Sequence, residues 1–498
     1  MLIRPGSEDF RLIAFVMGRI LLVTAAAGLI PAAWAVAAGE WRPLSSFILM
    51  VGLLGVLGAM GRRLRPPTPR FEWRHGMVIV ALTWLVVPVI AAVPLLQSGH
   101  FADPVDALFD SVSGLTTTGL SVMSDLDHLA SSLNLWRHLL QFLGGLGIVV
   151  VALTLFAEQG GVALYFGEGR GERFLPSATS MARFFWRVAA MHLVVVAGSL
   201  VLVGWLLLGF EPHRALLHGV TMFLAGFSTG GFAPQSTSIG YYHSPTFEVV
   251  AAIAMVGGAM SFGLHYSLWK GQRRSALANL ETRTILASFG FTLLLTLVGL
   301  AATGVFAEVS GLTRQGLFQV LSAQTTTGWS TVPAAELSQW GGLAFVGIAI
   351  AMAVGGMGSA TAGGVKALRV GLAIRALVNE IRQALLPEGA VVSTRYYQGG
   401  ARHLTPEVAQ SVMTISLLYV ALYLLGAAVG FAYGIPLHLA LFESVSASAT
   451  IGLSTGITDP SMPLVLELVY MLQMWAGRLE FVALFSLLGF LYAWARGP

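Results

Sequence analysis

Four short stretches rich in threonine and glycine hold the residue types of this sequence that are best suited to binding an ion. They end at Gly119, Gly231, Gly328 and Gly452. Glycine lets the backbone adopt positive φ and lets carbonyl groups approach a ligand closely. A ring of carbonyl oxygens can replace the hydration shell of a cation. The residue types therefore predict coordination of a dehydrated cation by main-chain oxygens, with threonine hydroxyls beside them.

Each stretch supplies its last residues as candidate ion ligands. These candidates are Thr117, Thr118, Gly119, Thr229, Gly230, Gly231, Thr326, Thr327, Gly328, Thr450, Ile451 and Gly452. Three stretches share one register, because a phenylalanine (Phe109, Phe318 or Phe442) stands ten residues before the final glycine. The second stretch carries four extra residues. Its equivalent glycine is expected to be Gly231, since a large apolar residue follows it, and Gly230 is the alternative.

The elements that must position these stretches are membrane helices. The chain has 498 residues, of which 56% are hydrophobic and 10% charged, and its mean hydropathy is +0.76. So few charges cannot cover the surface of a soluble protein, whereas membrane spans explain the apolar excess directly. The net charge of +4 gives no reason to expect a nucleic-acid partner. The absence of cysteine excludes disulfides and thiolate chemistry.

Ten apolar stretches are long enough to cross a bilayer, which takes about 20 residues. They lie at 12–37, 44–61, 76–96, 136–157, 184–209, 245–268, 284–306, 340–377, 407–432 and 463–494. Ten crossings place both termini on one side, and most of the 28 Lys and Arg residues fall on that side. This distribution predicts a multi-pass membrane protein with both termini in the cytoplasm. The cell inner membrane is its expected location.

Between certain spans lie apolar segments that are too short to cross, and the four threonine–glycine stretches end them. The repeating unit is a span, a short re-entrant helix, a glycine turn and a second span. The expected boundaries are 1–70 for an extra N-terminal pair of spans and 71–180, 181–283, 284–402 and 403–498 for four repeats. Non-helical backbone at membrane depth needs protein or water around it, so the four turns should surround one axis. This predicts an all-α integral membrane fold with about ten transmembrane helices and four re-entrant pore helices in fourfold pseudo-symmetry.

Local signals mark the ends of these elements. A proline at or near the first helical position indicates the start of three pore helices, and Thr313 is expected to cap the other one. Small residues in the span after each stretch would let helices approach closely in lipid. These are Gly144-Gly145, Gly257-Gly258, Gly355-Gly356 and Ala476-Gly477.

A glycine-rich segment, residues 355–364, interrupts the second span of the third repeat. Its candidate gating residues are Gly355, Gly356, Gly358, Ser359, Ala360, Thr361, Gly363 and Gly364. Each glycine weakens a helix by about 1 kcal/mol relative to alanine, so an unwound intramembrane loop is expected. Close helix packing is the alternative explanation.

Arg478 lies within the apolar last span, where a charge is costly and faces water or a partner. Glu480 is two positions away and points to another face of the helix, so it is a poor intrahelical partner. A structural ion pair with another helix is the alternative to a role in a pore. Lys366 is expected to extend toward the cytoplasm.

The loops resemble the filter motifs of the Trk/Ktr/HKT superfamily of potassium transporters, and most closely those of the TrkH branch. The first, third and fourth loops read ALFDSVSGLTTTGLS, GLFQVLSAQTTTGWS and ALFESVSASATIGLS, and the second reads ALLHGVTMFLAGFSTGGFA. The segments GGFAPQSTSIGYY and WAGRLEFVALF look like the TrkH branch in particular. The resemblance covers nearly the whole chain, including the N-terminal pair of spans.

The resemblance implies a filter with one key glycine per loop, and the presence of Gly119 implies selection of potassium over sodium. It implies that residues 355–364 lie beneath the filter as a gate, with Arg478 projecting into the pore beside them. It also implies a homodimer and a cytosolic regulatory ring with nucleotide-binding RCK domains. Potassium is then the substrate, and no cofactor is expected in this chain. Candidate docking surfaces for the ring are the basic loops 158–183, 269–283 and 378–405.

Acidic residues near the loops have two possible roles. Asp110 and Glu443 occupy equivalent positions in two pore helices, where His218 and Gln319 stand in the others. They are expected to support the filter from behind by hydrogen bonding, because a buried carboxylate needs partners. A contribution to negative potential near the pore is the alternative. Further acids on outer loops either concentrate cations at the mouth or are merely solvated: Asp103, Asp106, Asp125, Asp127, Glu211, Glu308, Glu336 and Asp459.

The favoured function is therefore potassium uptake through a gated, passive pore. A sodium- or proton-coupled symporter on the same scaffold is an alternative that requires a second ion site. A membrane-embedded enzyme is a further alternative. The sequence offers no recognisable catalytic dyad, Walker A motif or metal-ligand cluster for it.

Overall fold

Helices account for most of the chain, as the apolar sequence predicts. The computed structural model describes residues 5–66, 71–147, 178–304, 306, 308–387 and 393–496. Within these ranges the only strands are Arg395–Tyr397 and Ala401–His403, which pair antiparallel in a small hairpin. The expected all-α membrane architecture is confirmed.

Six helices are long and apolar enough to span a membrane, and each coincides with a predicted span. They are Ser7–Ala38, Trp41–Arg63, Trp73–Leu96, Ser180–Leu207, Leu280–Thr303 and Pro406–Ala432. The third comprises the helices Trp73–Ala91 and Val93–Leu96. The fourth consists of two α-helices, Ala178–His192 and Gly198–Leu202, each followed by a π-helical turn, Leu193–Ala197 and Val203–Leu207.

Two further predicted spans are sharply bent pairs of helices. They are Pro245–Ala259 with Phe262–Trp269, bent by 105°, and Leu464–Arg478 with Val482–Ala495, bent by 104°. At the first bend Ser261 Oγ accepts a hydrogen bond from Leu264 N at 3.2 Å and so starts a new helix. At the second bend Glu480 and Phe481 have φ of 51° and 69°. Neither bend contains proline, so the apolar pattern alone predicts uninterrupted spans.

The predicted span at 136–157 begins as the helix Ser131–Phe142 and continues as the π-helical turn Leu143–Gly147. Residues 148–177 lie outside the described ranges and include the rest of this span and most of the first candidate docking loop. Residues 388–392 of the third candidate docking loop lie outside them as well.

The predicted span at 340–377 divides into two helices, Gly342–Val354 and Ala367–Ala384. The segment between them is not helical, and Gly355 and Gly364 have φ of 70° and 79°. The unwound loop expected from the glycine content is therefore present, and close packing of one continuous helix is not the explanation of these glycines.

Four shorter helices precede the threonine–glycine stretches. These pore helices, numbered first to fourth along the chain, are Pro104–Leu115, Pro212–Phe227, Val309–Gln324 and Leu437–Ser448. The first is capped by Asp103, whose Oδ1 accepts hydrogen bonds from Val105 N and Asp106 N at 2.7 and 3.0 Å. The capping role expected of Thr313 is wrong. The third pore helix begins one turn earlier, and Thr313 Oγ1 donates to Val309 O at 2.8 Å inside it.

The remaining described elements are short connectors. They are the 3₁₀ helix Ser238–Tyr242, the helices Arg273–Ala278 and Ala334–Leu337, and the hairpin. Tyr396 of the hairpin is 8% exposed and packs in one apolar cluster with Leu280, Leu372 and Val412. The hairpin is therefore fixed to the helices beneath it.

The core surrounds the C-terminal ends of the pore helices. In three repeats a glycine of the span that follows packs against the last residue of the pore helix. A β-carbon added to that glycine would come within 3.0 Å of the carbonyl oxygen of that last residue. The pairs are Gly144 with Leu115, Gly258 with Phe227, and Gly477 with Ser448. In the third repeat Gln324 Nε2 donates instead to Gly355 O at 2.6 Å. The small residues thus bring each span against the end of its own pore helix.

Candidate ion pathway

The chain leaves each pore helix through the same backbone turn. A threonine has φ between 52° and 58° in all four repeats, and the final glycine has φ between 78° and 90°. The pairs are Thr117 and Gly119, Thr229 and Gly231, Thr326 and Gly328, and Thr450 and Gly452. A left-handed conformation costs a threonine about 1–2 kcal/mol, so the surrounding packing must hold it. Repetition of a strained turn in four different sequences indicates a shared geometric requirement.

The second stretch keeps this geometry despite its extra residues. Gly230 N donates to Ala225 O at 2.8 Å, as Thr118 N does to Ser113 O. Of the two candidate glycines, Gly231 has the positive φ, at 78°. Gly231 is therefore equivalent to the other three glycines, and Gly230 occupies the position of Thr118.

The four glycines meet around one axis. An added β-carbon on each would come within 3.0 Å of a carbonyl oxygen in another repeat. The contacts run from Gly119 to Gly230, from Gly231 to Thr327, from Gly328 to Ile451 and from Gly452 to Thr118. Each repeat therefore touches the next and the fourth touches the first, which closes a ring in chain order. The ring consists of backbone atoms, and a side chain at any of its glycines would disrupt it.

A cavity of about 210 Å³ opens on one side of the ring, and all four glycines line it. Hydroxyl groups of Ser121, Ser330, Ser454 and Thr458 contribute to its wall. Among the described residues that line it, Arg137 is the only charged one. This vestibule can hold water next to the ring.

Asp110 is fully buried behind the first stretch and is paired with an arginine. Arg137 Nε and Nη2 lie 2.8 and 2.9 Å from its two carboxylate oxygens, and Ser121 Oγ donates to Oδ1 at 2.5 Å. The Arg137 guanidinium also lies 4.0 Å from the centre of the Phe232 ring, in the second repeat. Asp110 therefore anchors the chain just after Gly119 and stands behind the ring.

Glu443, at the same position of the fourth pore helix, is held by uncharged donors. Ser454 Oγ donates to its carboxylate at 2.7 Å, Thr455 N at 2.6 Å and Thr458 Oγ1 at 2.9 Å. These bonds also fasten the chain just after the final glycine of the stretch. The geometry of both carboxylates favours the supporting role over a direct role in the pathway.

The third pore helix supports its stretch with a neutral side chain, and the second has no polar side chain at the equivalent position. Gln319 Nε2 donates to Ser330 Oγ at 2.9 Å. The equivalence expected for His218 is wrong, because Met222 occupies that position when residues are counted back from the ring. His218 lies one turn further out, where its Nδ1 is 2.8 Å from Tyr242 Oη. The extra turn of the second pore helix accounts for the difference.

The glycine-rich segment 355–364 lies directly under the threonines of the ring. Thr229 Oγ1 lies 3.3 Å from Thr361 Oγ1, and Gly363 N donates to Thr326 Oγ1 at 2.9 Å. An added β-carbon on Gly363 would also come within 3.0 Å of Thr450 Oγ1. The segment therefore reaches three of the four threonines with positive φ.

The other residues of the segment fold it onto itself and fasten it to the second and third repeats. Gly355 and Gly364 lie back to back, since an added β-carbon on Gly364 would be 2.9 Å from Gly355 Cα. Gly358 N donates a hydrogen bond to the buried carboxylate of Glu281. The remaining members, Gly356, Ser359 and Ala360, contact residues 259–262.

Arg478 reaches the fourth threonine. Its Nη1 lies 3.1 Å from Thr117 Oγ1 and 2.7 Å from Thr361 O, and its Nη2 lies 2.8 Å from Gly144 O. The guanidinium thus joins the first stretch, the glycine-rich segment and the second span of the first repeat. A cavity of only about 10 Å³ remains beside Arg478 and Gly363. That space is too small for a hydrated cation.

Lys366 does not extend toward the cytoplasm, and that expectation is wrong. Its side chain is buried, and Nζ lies 2.5 Å from Glu480 Oε1. Arg369 also forms an ion pair with Glu480. A buried carboxylate with two cationic partners outweighs the solvation that the lysine would gain at the membrane surface.

The outer acids mostly serve local structure. Asp127 accepts hydrogen bonds from Ser236 N and Oγ at 2.8 and 2.7 Å. Asp125 lies 2.9 Å from His128 Nδ1, and this hydrogen bond raises the pKa of His128. None of the eight predicted acids is among the described residues that line the vestibule. Any attraction for cations would therefore act through the field around the mouth.

Sequence reasoning did not identify Arg137, Glu281 or Glu480 as parts of the site. All three are buried charged residues in or next to predicted spans. The cost of burying a charge in lipid was an available signal for each of them. Their partners are distant in sequence, so the pairings themselves were not predictable from spacing.

Comparisons with known proteins agree with this geometry. The family model of TrkH, described as a cation transport protein, matches residues 62–488. An uncharacterised cation transporter of Methanocaldococcus jannaschii is 28% identical over 98% of this chain and 97% of its own length. The Trk system potassium uptake protein TrkH of Halomonas elongata is 29% identical over 89% of this chain and 90% of its own. The crystal structure of the potassium transporter TrkH from Vibrio parahaemolyticus superposes with a TM-score of 0.81 at 25% identity, covering 96% of this chain and 98% of that one.

Proposed function

Since the chain belongs to the TrkH family of cation transport proteins, we propose that it carries potassium into the cell through a gated, channel-like pore. The family is one of transporters, so the chain is not an enzyme. The similar protein of Halomonas elongata is named for potassium uptake, which supports potassium as the transported ion.

The single observation that carries the proposal is the closed ring of backbone contacts among the four stretches. The carbonyl groups of Thr118, Gly230, Thr327 and Ile451 take part in those contacts. Such oxygens can replace the water around a weakly hydrated monovalent ion. The ring is then the selectivity filter.

The pore helices favour a positive ion at the same place. Each of the four ends immediately before its stretch, so the partial negative charge of its C-terminus is directed to the region of the ring. An anion would meet four such helix ends. The pathway is therefore expected to exclude anions.

Closure beneath the filter is assigned to the glycine-rich segment and Arg478. Together they contact all four threonines at the inner end of the ring. The guanidinium adds a fixed positive charge to this constriction, which raises the barrier for a cation. Opening requires the segment and Arg478 to move away together, because Arg478 is bonded to Thr361 O.

Membership of a transporter family also supports a cellular location and partners for the chain. We place the protein in the inner membrane with both termini in the cytoplasm, because Lys and Arg are concentrated on that side. The family resemblance supports a homodimer regulated by a nucleotide-binding RCK ring, with potassium as the substrate and no cofactor in this chain.

The proposal is tested in a bacterium that lacks its own potassium uptake and grows poorly on low potassium. Expression of this chain should restore growth and rubidium uptake. Gly328→Ala should abolish both, because its β-carbon has no room beside Ile451 O. Gly290→Ala is the matched control, since nothing lies within 4 Å of a β-carbon there.

Membrane abundance of each variant is measured by immunoblot, so that loss of protein is separated from loss of transport. No uptake by the wild-type chain would refute the potassium assignment. Wild-type uptake by an abundant Gly328→Ala protein would refute the ring as the filter.

A further inference from the structure

A second cavity, of about 320 Å³, shares no lining residue with the ion pathway. It lies between the helix Phe262–Trp269, the helix Arg273–Ala278 with the following Asn279, and the hairpin turn at Gln398 and Gly399. Its volume is at the lower end of the range for small-molecule sites, about 300–1,000 Å³.

The lining of this cavity is polar and carries hydrogen-bond donors. It includes Tyr266, Gln272, Asn279, Tyr397, Gln398 and Arg402, and no carboxylate among the described residues. Exposed basic residues, Lys270, Arg273 and Arg274, lie on the adjoining segment. A donor-rich wall with a guanidinium and a positive surrounding field suits an anion with several acceptor oxygens.

Gln398 supplies the cavity with an amide group that a ligand can reach. Gln398 as a whole is only 7% exposed, yet its side-chain amide forms no hydrogen bond with the residues that the structure describes. Its amide atoms are not among the enclosed atoms that lack a partner, so they are accessible to an occupant of the cavity. A ligand with acceptor oxygens would accept a hydrogen bond from this amide.

The walls of the cavity are fixed before any ligand binds. Tyr396 holds the hairpin in the apolar cluster beneath it, and Tyr397 Oη lies 2.7 Å from Ser275 Oγ across the cavity. A preformed site loses less free energy to ordering when it binds.

The floor of the cavity is connected to the gating segment. Asn279 Oδ1 accepts a hydrogen bond from Glu281 N at 3.0 Å, and the Glu281 carboxylate accepts one from Gly358 N. Leu264 of the cavity wall packs in one apolar cluster with Met357. An occupant that holds Asn279 and Leu264 in place therefore also holds the segment in its constricted position.

We propose that this cavity binds a small phosphate-bearing anion from the cytoplasmic side and that occupancy stabilises the constricted state. The binding site stands on its own geometry, whereas its effect on flux rests on the proposed function. By linkage, a ligand that binds the constricted state more tightly lowers ion flux. A soluble phosphate ester and a phospholipid headgroup share this chemistry.

Binding is tested by calorimetry on the purified full-length protein in detergent, with AMP and inorganic pyrophosphate as soluble probes. The lipid source is tested in nanodiscs of phosphatidylcholine with and without cardiolipin, by the shift in melting temperature. Arg402→Gln and Gln398→Leu should each weaken binding about tenfold, because each removes one hydrogen bond to a charged ligand. Arg382→Gln, an exposed arginine outside the cavity, is the control and should bind as the wild type does.

Binding of a soluble probe that both variants weaken supports the site with a free ester as its ligand. A cardiolipin-dependent shift that both variants abolish supports it with a lipid headgroup. Absence of binding in both arms, or equal binding by all variants, overturns the inference.

In proteoliposomes the bound probe should lower rubidium flux severalfold in the wild type and not in Arg402→Gln. Equal wild-type flux with and without the probe would overturn the regulatory part. A protein without any flux would refute the proposed function and leave the binding result to decide this site.

Discussion

At the scale of single residues, the ring depends on positions that admit no side chain. Gly119 has φ of 90°, and a β-carbon there would come within 3.0 Å of Gly230 O. A substitution must therefore displace the neighbouring carbonyl group and strain its own backbone at once. The ring would then open on one side.

Gly119→Ser should reduce selection of potassium over sodium by about tenfold, equivalent to about 1.4 kcal/mol of lost discrimination. The ratio is measured from reversal potentials or competing fluxes in proteoliposomes. Gly198→Ser is a suitable comparison, because nothing lies within 4 Å of a β-carbon at that position. An unchanged ratio in a folded Gly119→Ser protein would show that this glycine does not shape the filter.

Arg478→Ala should raise cation flux by about tenfold or more. A unit positive charge about 4 Å away repels a cation by about 4 kcal/mol at an effective dielectric constant of 20, and water screens part of this repulsion. Flux of rubidium into proteoliposomes measures the change. Arg478→Lys keeps the charge and should remain near the wild-type value. A well-folded Arg478→Ala protein with unchanged or lower flux would contradict a blocking role.

At the scale of elements, the second to fourth repeats differ in the described spans beneath the ring. The second and fourth repeats have bent second spans, at 105° and 104°, and the third has the unwound segment. Since the ring follows chain order, the two bent repeats stand opposite each other. Lys366, at the end of the unwound segment, is joined to Glu480 at the bend of the fourth repeat. This ion pair fixes the glycine-rich segment relative to the bend.

Glu480→Gln should destabilise the protein by about 3 kcal/mol, because it leaves the buried Lys366 and the partly buried Arg369 without their counter-charge. The melting temperature in detergent, followed by tryptophan fluorescence, should fall by several degrees. Glu8→Gln removes the carboxylate of an exposed Glu–Arg pair and should change little. Equal melting temperatures for the two variants would show that the Glu480 cluster contributes no net stability.

The sequence predicted the spans well and their interruptions less well. Runs of about 20 apolar residues are required by the bilayer, and the six long helices coincide with predicted spans for that reason. Bends near Ser261 and Glu480 leave no comparable trace, because a helix can restart after one capped or positive-φ residue without losing its apolar character. The start of the third pore helix was mistaken because Thr313 can bond inside a helix as well as cap one.

The candidate site was predictable to the extent that it is a repeated pattern. The four glycines were identified by alignment of the loops, and the structure brings all four into one ring. Pairings between distant residues were not predictable, such as Asp110 with Arg137 and Lys366 with Glu480. The free-energy cost of burying a charged side chain shows that it needs a partner, but it does not show which residue that partner is.

At the scale of the whole molecule, the described charges give no indication of a coupling site within the pathway. The carboxylates nearest the ring, Asp110 and Glu443, are bound by an arginine and by uncharged donors behind it. A carboxylate that carried a coupled ion would need to face the pathway and exchange its partners during transport.

Rubidium flux in proteoliposomes should therefore follow the potassium gradient and membrane potential alone. Removal of sodium, or collapse of the proton gradient with an uncoupler while the potential is clamped, should leave the flux unchanged. A fixed stoichiometric dependence on either ion would instead establish coupled symport.

The closure of the ring within one polypeptide has a consequence for how its sequence changes over generations. In a channel assembled from four identical subunits, one codon change alters all four quadrants of the filter together. Here it alters one quadrant and the carbonyl group of the next repeat that it touches. The four quadrants can therefore diverge in sequence one position at a time, as the different residues before their final glycines already show.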